Sequence, residues 1–263
     1  MTEPGRTALV TGASGGIGEE LARLFAADSY ELVLVARSRD KLEGLAAELS
    51  AKSGRPAHAL PADLARAGAP REIFDGLKAR GVGVDVLVNN AGFGGYGPFA
   101  EGDLSAQLGM IQVNVAALTH LTRLFLPAML ERRSGHVMNV ASTAAFQPGP
   151  LMAVYYATKA YVLSFSEAIA NELEGTGVTV SALCPGPTET GFVAAAGMSE
   201  SKLFDRGAMS ARAVAEAGYR GMLEGKTVVI PGFRNALLAR TVGFMPRKLV
   251  TKVVRGIQER RDS

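Results

Sequence analysis

Tyr155 and Lys159 have the side-chain types and the spacing of a proton-transfer pair. They lie four residues apart in a segment with a helical pattern, so both side chains share one face of the helix. A free tyrosine has a pKa of about 10 and is a poor acid–base at neutral pH, but a neighbouring ammonium group favours the phenolate and lowers that pKa. Together the two side chains could act as a general acid–base. Tyr–Lys pairs are also ordinary on helix surfaces, so the interpretation depends on what accompanies them.

Ser142 supplies a third reactive group. It closes a run of apolar residues that predicts a strand, and ligands of parallel sheets bind beyond the carboxyl ends of the strands. A hydroxyl at that position can donate a hydrogen bond to a carbonyl oxygen. The combination of Ser142, Tyr155 and Lys159, more than any one of them, points to chemistry on a carbonyl group.

The glycines that follow the first predicted strand have the pattern of a phosphate-binding turn. The sequence reads Thr11-Gly12-Ala13-Ser14-Gly15-Gly16-Ile17-Gly18 and then continues as a helix. Gly12 permits a tight turn, Gly16 lets backbone N–H groups approach an anion, and Gly18 lets helix and strand pack closely. The positive end of the helix dipole favours the same anion. The spacing Gly-x-x-x-Gly-x-Gly differs from the usual dinucleotide fingerprint, but its place between a strand and a helix predicts a pyrophosphate site.

The same residues also match the Gly-x-Ser-x-Gly nucleophile elbow of hydrolases, with Ser14 as the nucleophile. That fold takes an oxyanion donor from an earlier strand, and the sequence has no strand candidate before this one. It also needs a histidine late in the chain, whereas the last histidine here is His136. The order of the residues therefore disfavours a hydrolase.

The end of the second predicted strand favours NADP over NAD. An NAD enzyme presents an acidic residue to the ribose hydroxyls about 20 residues after the glycines. Here that position is Ala36, and Arg37 follows it. A guanidinium group pairs well with a 2′-phosphate, which a carboxylate would repel. NAD is not excluded. Asp63, after the third strand, could accept a hydrogen bond from the adenine amino group or cap the next helix.

Strand and helix patterns alternate along the chain. Seven short apolar runs predict strands: Thr7–Thr11, Leu32–Ala36, Ala57–Ala62, Val84–Asn89, His136–Ser142, Val178–Cys184 and Thr227–Ile230. Longer segments between them predict helices: Ile17–Ala27, Lys41–Lys52, Ala69–Arg80, Ser105–Met129, Tyr155–Glu174 and Ser210–Leu223. This alternation predicts an α/β fold, a single Rossmann-like doubly wound parallel sheet of about seven strands with helices on both faces.

Composition narrows the class further. The chain has 263 residues, of which 48% are hydrophobic and 20% charged, which excludes a disordered chain. One cysteine cannot form an internal disulfide or a cysteine-based zinc site, so we expect no metal and a reducing compartment. There is no signal-peptide pattern, and no uninterrupted apolar stretch reaches the roughly 18 residues of a spanning helix, so the expected location is cytoplasmic.

The excess of positive over negative charge is confined to the C-terminal end of the chain. The formal net charge is +3, yet residues 234–263 hold eight basic and two acidic residues, whereas the remaining 233 residues hold 20 basic and 23 acidic ones. We therefore divide the chain into a dinucleotide-binding and catalytic Rossmann domain, residues 1–232, and a basic amphipathic extension, residues 233–263. The extension has no aromatic residue after Phe244 and no recognised reading motif, so nucleic-acid binding is not expected.

Over residues 5–232 the sequence resembles the short-chain dehydrogenase/reductase family. The matching motifs stand in the family's order: Thr11-Gly12-x-x-x-Gly16-Ile17-Gly18, Asp63-Leu64, Asn89-Asn90-Ala91-Gly92, Asn114, Ser142, Tyr155-x-x-x-Lys159 and Pro185-Gly186. The interval of 13 residues between Ser142 and Tyr155 is also the family's. The resemblance implies an NADP(H)-dependent oxidoreductase that interconverts a hydrophobic ketone and a secondary alcohol by transfer of the pro-S hydride. An alternative is a non-catalytic NADP(H)-binding sensor on the same fold, which would have no need of an acid–base.

The resemblance also implies a role for each motif. Tyr155 would be the acid–base, Lys159 would bind the nicotinamide ribose and lower the Tyr155 pKa, Ser142 would polarise the carbonyl, and Asn114 would hold a water that continues a proton relay. The implied cofactor-binding residues are Gly12, Ser14, Gly16, Ile17, Gly18, Arg37, Asp63, Leu64, Asn90, Ala91, Gly92, Tyr155, Lys159, Pro185, Gly186 and Thr188. Tyr156 lies three residues from Lys159, a spacing that helical geometry also tolerates; the family pattern selects Tyr155.

The substrate pocket is expected to be apolar. Loops after three strands carry Phe93, Tyr96, Phe146, Phe192 and Met198, a set suited to a hydrophobic carbonyl compound such as a medium-chain keto compound, a 3-oxoacyl thioester or a steroid-like ketone. Several of these side chains could instead simply pack the loops. Family members are usually dimers or tetramers, so we expect a homodimer or homotetramer with the fourth and fifth predicted helices at one interface.

The extension predicts an amphipathic helix. Pro246 could start it. One face would carry Leu249, Val250, Val253, Val254 and Ile257, and basic residues would occupy much of the rest. Such a helix can lie on an anionic membrane, dock on a partner subunit or fold back on its own body. The mildly acidic body favours the last two, so peripheral membrane contact is possible but not favoured.

Overall fold

A parallel sheet of seven strands lies at the centre of the molecule in the computed structural model, which describes residues 5–191 and 207–259. Its strands are β1 (Thr7–Thr11), β2 (Glu31–Ala36), β3 (Ala57–Pro61), β4 (Val86–Asn89), β5 (Gly135–Val140), β6 (Val178–Leu183) and β7 (Val228–Val229). Their spatial order is β3-β2-β1-β4-β5-β6-β7. The chain winds outward from β1 in one direction and from β4 in the other. The order therefore reverses between β1 and β4, which is where doubly wound sheets bind ligands.

Helices cover both faces of the sheet. They are α1 (Gly16–Ala27), α2 (Arg39–Ser53), α3 (Ala69–Ala79), α4 (Leu104–Ile111), α5 (Leu118–Arg132), α6 (Ala153–Glu172), α7 (Ala211–Leu223), α8 (Phe233–Val242) and α9 (Arg247–Gln258). Leu21, Phe25 and Met222 belong to a core cluster that packs one sheet face under α1, α2 and α7. Leu77 and Leu121 belong to the cluster on the other face, under α3 and α5. The continuous apolar runs of the central strands are thus buried from both sides, and the predicted fold class is confirmed.

The predicted helix 105–129 is interrupted. A π-helical turn, Gln112–Ala117, joins α4 to α5. Within it Asn114 is buried and its amide bonds the backbone of Phe93 instead of pointing to solvent. Wide turns of this kind are rare and are found mostly at functional sites. Hydrophobic periodicity does not reveal one extra residue in a long helix, so the sequence predicts a regular helix there.

The segment Leu104–Arg132 comprises α4, the π-helical turn and α5. By length and composition it is long and apolar enough to cross a membrane, with a mean hydropathy of 1.3. The sequence prediction of no spanning segment considered only uninterrupted runs, and His120, Arg123 and Pro127 break this one. The segment's inner face packs into the core through Leu121 and Phe125. A core helix passes the same test, so the match is weak evidence for a membrane span.

The C-terminal extension, residues 233–263, folds back on the rest of the chain along one edge of α9. Val250 and Val254 are buried in a small cluster with Ala144, Met152 and Tyr156. Leu249 and Val253, on the same predicted apolar face, remain exposed. The predicted amphipathic helix is therefore present after Pro246, but its apolar face is divided between an inner edge that packs and an outer edge that does not.

Candidate active site

A cavity of about 750 Å³ opens at the carboxyl ends of β1, β2, β4, β5 and β6. Most of the predicted site residues line it: Gly12, Ser14, Gly16, Ile17, Arg37, Asp63, Leu64, Asn90, Ala91, Gly92, Phe93, Ser142, Tyr155, Lys159, Pro185, Gly186 and Thr188. The sheet brings these residues together because the ends of adjacent parallel strands meet at one edge. One cavity therefore connects the glycine turn, Arg37 and the Ser142–Tyr155–Lys159 group.

The glycine turn is shaped so that side chains cannot enter it. Gly12 has φ 67°, and a Cβ built there would lie 2.7 Å from Asn90 Nδ2. A Cβ at Gly18 would lie 2.5 Å from the Gly12 carbonyl oxygen, which explains why this glycine packs the helix against the turn and does not line the cavity. By contrast, a Cβ at Gly15 meets nothing within 4 Å. Gly15 precedes α1, which has no side-chain cap, so the first N–H groups of the helix are available to an anion.

The Asn90–Gly92 turn is fixed to the glycine turn by a threonine. Thr11 Oγ1 donates to Val88 O and accepts hydrogen bonds from the N–H groups of Asn90 and Ala91. Asn90 Nδ2 in turn donates to the carbonyls of Thr11 and Gly12, at 2.9 and 3.2 Å. The two turns form one rigid floor, as a site for an extended dinucleotide requires.

The end of β2 carries positive charge without an acidic neighbour at the ribose position. Arg37 is exposed, and it lines the cavity together with Lys41, which the sequence analysis missed. Lys41 lies in the first turn of α2, shortly after the end of β2, so its place beyond a strand end could have suggested it. Asp63 Oδ1 accepts a hydrogen bond from Ala65 N, which closes a local turn; α3 begins later, at Ala69, so Asp63 does not cap it. These residues fit an adenosine 2′-phosphate better than a bare ribose.

Ser142 and Tyr155 form the reactive end of the cavity. Both side chains line the cavity, and the Ser142 hydroxyl interacts with the Tyr155 phenol. Ser142 Oγ also accepts a hydrogen bond from Ala144 N at 3.1 Å and lies 3.4 Å from Pro185 O. These contacts hold the hydroxyl toward Tyr155. A carbonyl oxygen placed between the two hydroxyls would have a hydrogen-bond donor on each side.

Lys159 is buried beneath Tyr155. Its ammonium group donates to Val140 O at 2.7 Å and lies 5.7 Å from the centre of the Tyr155 ring. Burial lowers the Lys159 pKa to about 8. The lysine thus lies between a strand carbonyl and the cavity, and its proton is held weakly for an ammonium group.

The resemblance implies that Lys159 lowers the Tyr155 pKa, but in the structure this pKa is raised. Burial raises the pKa of Tyr155 above its ordinary value, and the Ser142 hydrogen bond lowers it only in part. The physical reason is desolvation: the phenolate would lose its hydration, while the lysine that should stabilise it is directed to Val140 O and has its own charge disfavoured. Tyr155 is therefore a protonated phenol at neutral pH in this geometry.

Asn114 lies behind the cavity wall. Its Oδ1 accepts from Phe93 N at 3.1 Å, and its Nδ2 donates to Phe93 O and to Thr158 Oγ1. A Cβ built on Gly92 would lie 3.0 Å from Asn114 Oδ1 and 3.5 Å from Lys159 Nζ, so only glycine leaves both polar atoms this close to the turn. The π-helical turn thus places Asn114 near Lys159. The relay through a water stays a prediction.

The predicted substrate residues divide into three groups. Phe93 lines the cavity together with Met152 and Tyr156. Tyr96 donates its hydroxyl hydrogen bond to Gln258 O at 2.7 Å, and Phe146 packs in an apolar cluster with Leu118, Val162 and Leu163, so neither belongs to the cavity wall. The correction for Phe146 follows from packing, because its half-buried ring lies against that cluster and not in the cavity wall. Phe192 and Met198 lie outside the described residues.

Gln258 contacts Tyr156 beside the reactive end, a contact that the sequence does not predict. Its side chain is fully buried, and its Nε2 donates to Tyr156 Oη at 2.5 Å. Together with Tyr96 it fastens α9 beside the reactive end of the cavity. The partners lie 102 and 162 residues away along the chain, and no local motif announces them.

Known proteins place the chain in one family. Residues 6–201 match the family model described as short chain dehydrogenase, and the chain belongs to that family. It is 39% identical over 188 residues to a short chain dehydrogenase of Pseudocercospora fijiensis, covering 71% of this chain and 60% of that protein. It is 35% identical over 230 residues to the ketoacyl reductase HetN of Nostoc, covering 87% of this chain and 79% of that protein.

Solved structures agree with the fold. A short-chain dehydrogenase from Sphingobium yanoikuyae in complex with NADPH superimposes with a TM-score of 0.81 at 33% identity, covering 91% of this chain and 95% of that one. Another solved neighbour, 26% identical, is in complex with NAD. Solved neighbours of this chain thus include one complex with NADPH and one with NAD.

Proposed function

We propose that the protein is an NADP(H)-dependent oxidoreductase that interconverts a hydrophobic ketone and a secondary alcohol, with Tyr155 as acid–base. The observation that carries the proposal is that Ser142, Tyr155 and Lys159 line the same cavity as the glycine turn. NADPH, when bound, supplies the hydride to the carbonyl carbon. The glycine turn and Arg37 would hold its phosphates, and Lys159 its nicotinamide ribose.

The side chains at the reactive end would manage the oxygen atom of the substrate. Ser142 donates a hydrogen bond to the carbonyl oxygen and orients it. Tyr155 gives its phenolic proton to the same oxygen as the alcohol forms, and the phenolate that remains is reprotonated from the side of Lys159. The raised pKa of Tyr155 keeps the phenol protonated at neutral pH, which suits reduction. Oxidation of an alcohol needs the phenolate and is favoured as the pH rises.

An apolar ketone fits the substrate end of the cavity. Phe93, Ala144, Met152 and Tyr156, all uncharged, line the cavity together with the reactive hydroxyls. The name of the Nostoc relative, ketoacyl reductase, points to the same class of substrate. We therefore propose a medium-chain keto compound, a 3-oxoacyl thioester or a steroid-like ketone.

The experiment that tests the reaction is NADPH oxidation, followed by absorbance, across a panel of these three ketone classes and small polar ketones as controls. We expect turnover with at least one apolar ketone, and a loss of roughly 10² to 10⁴-fold in Tyr155→Phe. Tight NADPH binding without turnover of any ketone would contradict the proposal and favour a sensor on the same fold.

The preference for NADP is tested at Arg37. Arg37→Ala should weaken NADPH binding by about tenfold, because one charge-assisted phosphate contact is lost, while NADH binding stays unchanged. Arg39→Ala is the matched control, since Arg39 is exposed nearby but pairs with Glu43. Calorimetry with both cofactors measures the difference. Equal losses for NADPH and NADH would disprove the assignment of Arg37 to the 2′-phosphate.

We also propose a homodimer or homotetramer assembled through α4 and α6. Leu104, Leu108 and Ile111 on α4 and Tyr161 on α6 are exposed apolar side chains, and an apolar patch of this kind commonly marks a subunit interface. Light scattering on the full chain measures the mass. Leu104→Ser with Leu108→Ser should shift it toward the monomer.

A further inference from the structure

We propose that the outer surface of α8 and α9 docks on an anionic phospholipid membrane. This outer surface carries seven exposed large apolar side chains: Phe233, Leu237, Leu238, Phe244, Met245, Leu249 and Val253. Phe244, in the turn between the two helices, is 92% exposed, and Phe233 is 83% exposed. Aromatic rings so open to water are costly to leave unpartnered and point to a docking function.

Positive charge surrounds these apolar side chains. Six cations lie on the two helices or between them: Arg234, Arg240, Arg247, Lys248, Lys252 and Arg255. No acidic residue occurs from Lys226 through Gln258. Within residues 5–191 and 207–259, the ion pairs of the structure include just one of the six, Arg255, which bonds Glu259. Among the described residues the remaining five have no ion-pair partner, so each can bind an anion outside the protein.

The inner edge of α9 prevents this surface from turning inward. Val250 and Val254 pack against Met152 and Tyr156, and the buried Gln258 hydrogen-bonds Tyr156. Rotating α9 to bury Leu249 and Val253 would expose the buried side chains of its inner edge. It would also break the hydrogen bond between Gln258 and Tyr156. The apolar outer edge is therefore fixed toward the solvent by the packing of the inner edge.

A comparison with the α4–α6 patch argues for lipid over a second copy of the chain. The α4–α6 patch, with Leu104, Leu108 and Ile111, has no Lys or Arg between residues 99 and 117 and suits a contact between like subunits. A two-fold contact through α8 and α9 would bring six cations against six others, which is repulsive. An anionic bilayer accepts both components, since the headgroups pair with the cations and the acyl region takes Phe244 and its neighbours.

The position of the outer surface also has a functional consequence. α9 contacts Tyr156 beside the reactive end of the cavity, and a Cβ built on Gly186, in the cavity wall, would lie 2.6 Å from Asn235 on α8. A membrane bound to these helices would therefore lie close to the substrate end of the cavity. An apolar ketone dissolved in the bilayer would reach the enzyme with little exposure to water.

The test is co-sedimentation of the full chain with phospholipid vesicles. We expect binding to phosphatidylcholine vesicles that contain about 30% phosphatidylglycerol, at least about tenfold tighter than to pure phosphatidylcholine, and weakened by 0.5 M NaCl. The double variant Arg247→Glu/Lys248→Glu should reduce that binding by about tenfold or more. Its matched control is Lys78→Glu/Arg80→Glu, which reverses two exposed cations at the end of α3 and should change nothing.

A second pair of variants tests the apolar component. In 0.5 M NaCl, where charge is screened, the remaining vesicle binding should be weaker for Phe244→Ser than for the wild type. Phe99→Ser is the control: it removes an exposed aromatic ring outside the extension and should not change this binding. Circular dichroism and NADPH affinity establish that each variant is folded. Absence of binding, equal binding to neutral and anionic vesicles, or an equal loss in the controls would overturn the proposal. A change of oligomeric mass in the Arg247→Glu/Lys248→Glu protein would overturn it too, in favour of a subunit contact. None of these readouts depends on the proposed reaction.

Discussion

The proposed cofactor end of the cavity and its proposed substrate end are built in different ways. At the cofactor end, the glycine turn, Arg37 and the Asn90–Gly92 turn each lie within a few residues of a strand end, so the sheet alone brings them together. At the substrate end, Met152 and Tyr156 are supported by α9, which arrives from the far end of the chain. The first kind of site is encoded by local motifs and the second by the docking of an extension. The cofactor end should therefore be common to the fold and the substrate end particular to this chain.

The largest expected effect is on Tyr155, which lies where the two ends of the cavity meet. Tyr155→Phe should lower kcat for ketone reduction by roughly 10² to 10⁴-fold, because the proton donor is lost. NADPH affinity, measured by calorimetry, should change little, since the ring remains. Tyr156→Phe is the matched control and should keep most of the activity. It removes only the hydroxyl that meets Gln258. A greater loss for Tyr156→Phe would reverse the assignment of the two tyrosines.

The rigidity of the cofactor end is tested at Gly12. Gly12→Ala should lower the free energy of unfolding by about 2–3 kcal/mol, because alanine is strained at φ 67° and its Cβ would lie 2.9 Å from the Ala91 backbone. NADPH binding should fall as well. Gly76→Ala is the control: this glycine lies inside α3 with nothing within 4 Å of a Cβ, so alanine should raise stability by about 0.5–1 kcal/mol. Urea unfolding measures both. A tolerant Gly12 would mean that the turn is not rigid.

These two ends also explain how far sequence reasoning reaches. Gly12, Asn90 and Ser142 could be predicted because each stands at or just after the end of a predicted strand, where parallel sheets bind ligands. The interruption of the long helix at Asn114 could not, because an extra residue in a helical turn leaves the hydrophobic pattern almost unchanged. Phe146 was misplaced because an apolar ring in a loop serves a core or a pocket equally well. Gln258 was missed because a polar residue gains its meaning only when folding buries it against Tyr156.

Burial of Lys159 makes a pH-dependent prediction about the reactive end. The Lys159 pKa of about 8 in the folded protein lies below its ordinary value of 10.5, so between these values the unfolded chain binds more protons. Stability due to this group therefore rises with pH across that interval. From pH 8 to pH 10 the free energy of unfolding of the wild type should therefore rise by about 2 kcal/mol relative to that of Lys159→Met. A difference that stays constant would show that the ammonium group is solvated, contrary to its burial.

The smallest effect separates the two edges of α9 with adjacent valines. Val254 is 4% exposed and packs beside Tyr156, whereas Val253 is 47% exposed. Val254→Ala should cost about 1 kcal/mol of stability by removing buried methyl groups, and Val253→Ala should cost almost nothing. If α9 supports the substrate end, Val254→Ala should also raise KM for an apolar ketone several-fold while NADPH affinity stays constant. Thermal unfolding and steady-state kinetics give both readouts. A change in NADPH affinity equal to that in KM would mean that α9 supports the whole cavity, and the distinction between its two ends would then fail.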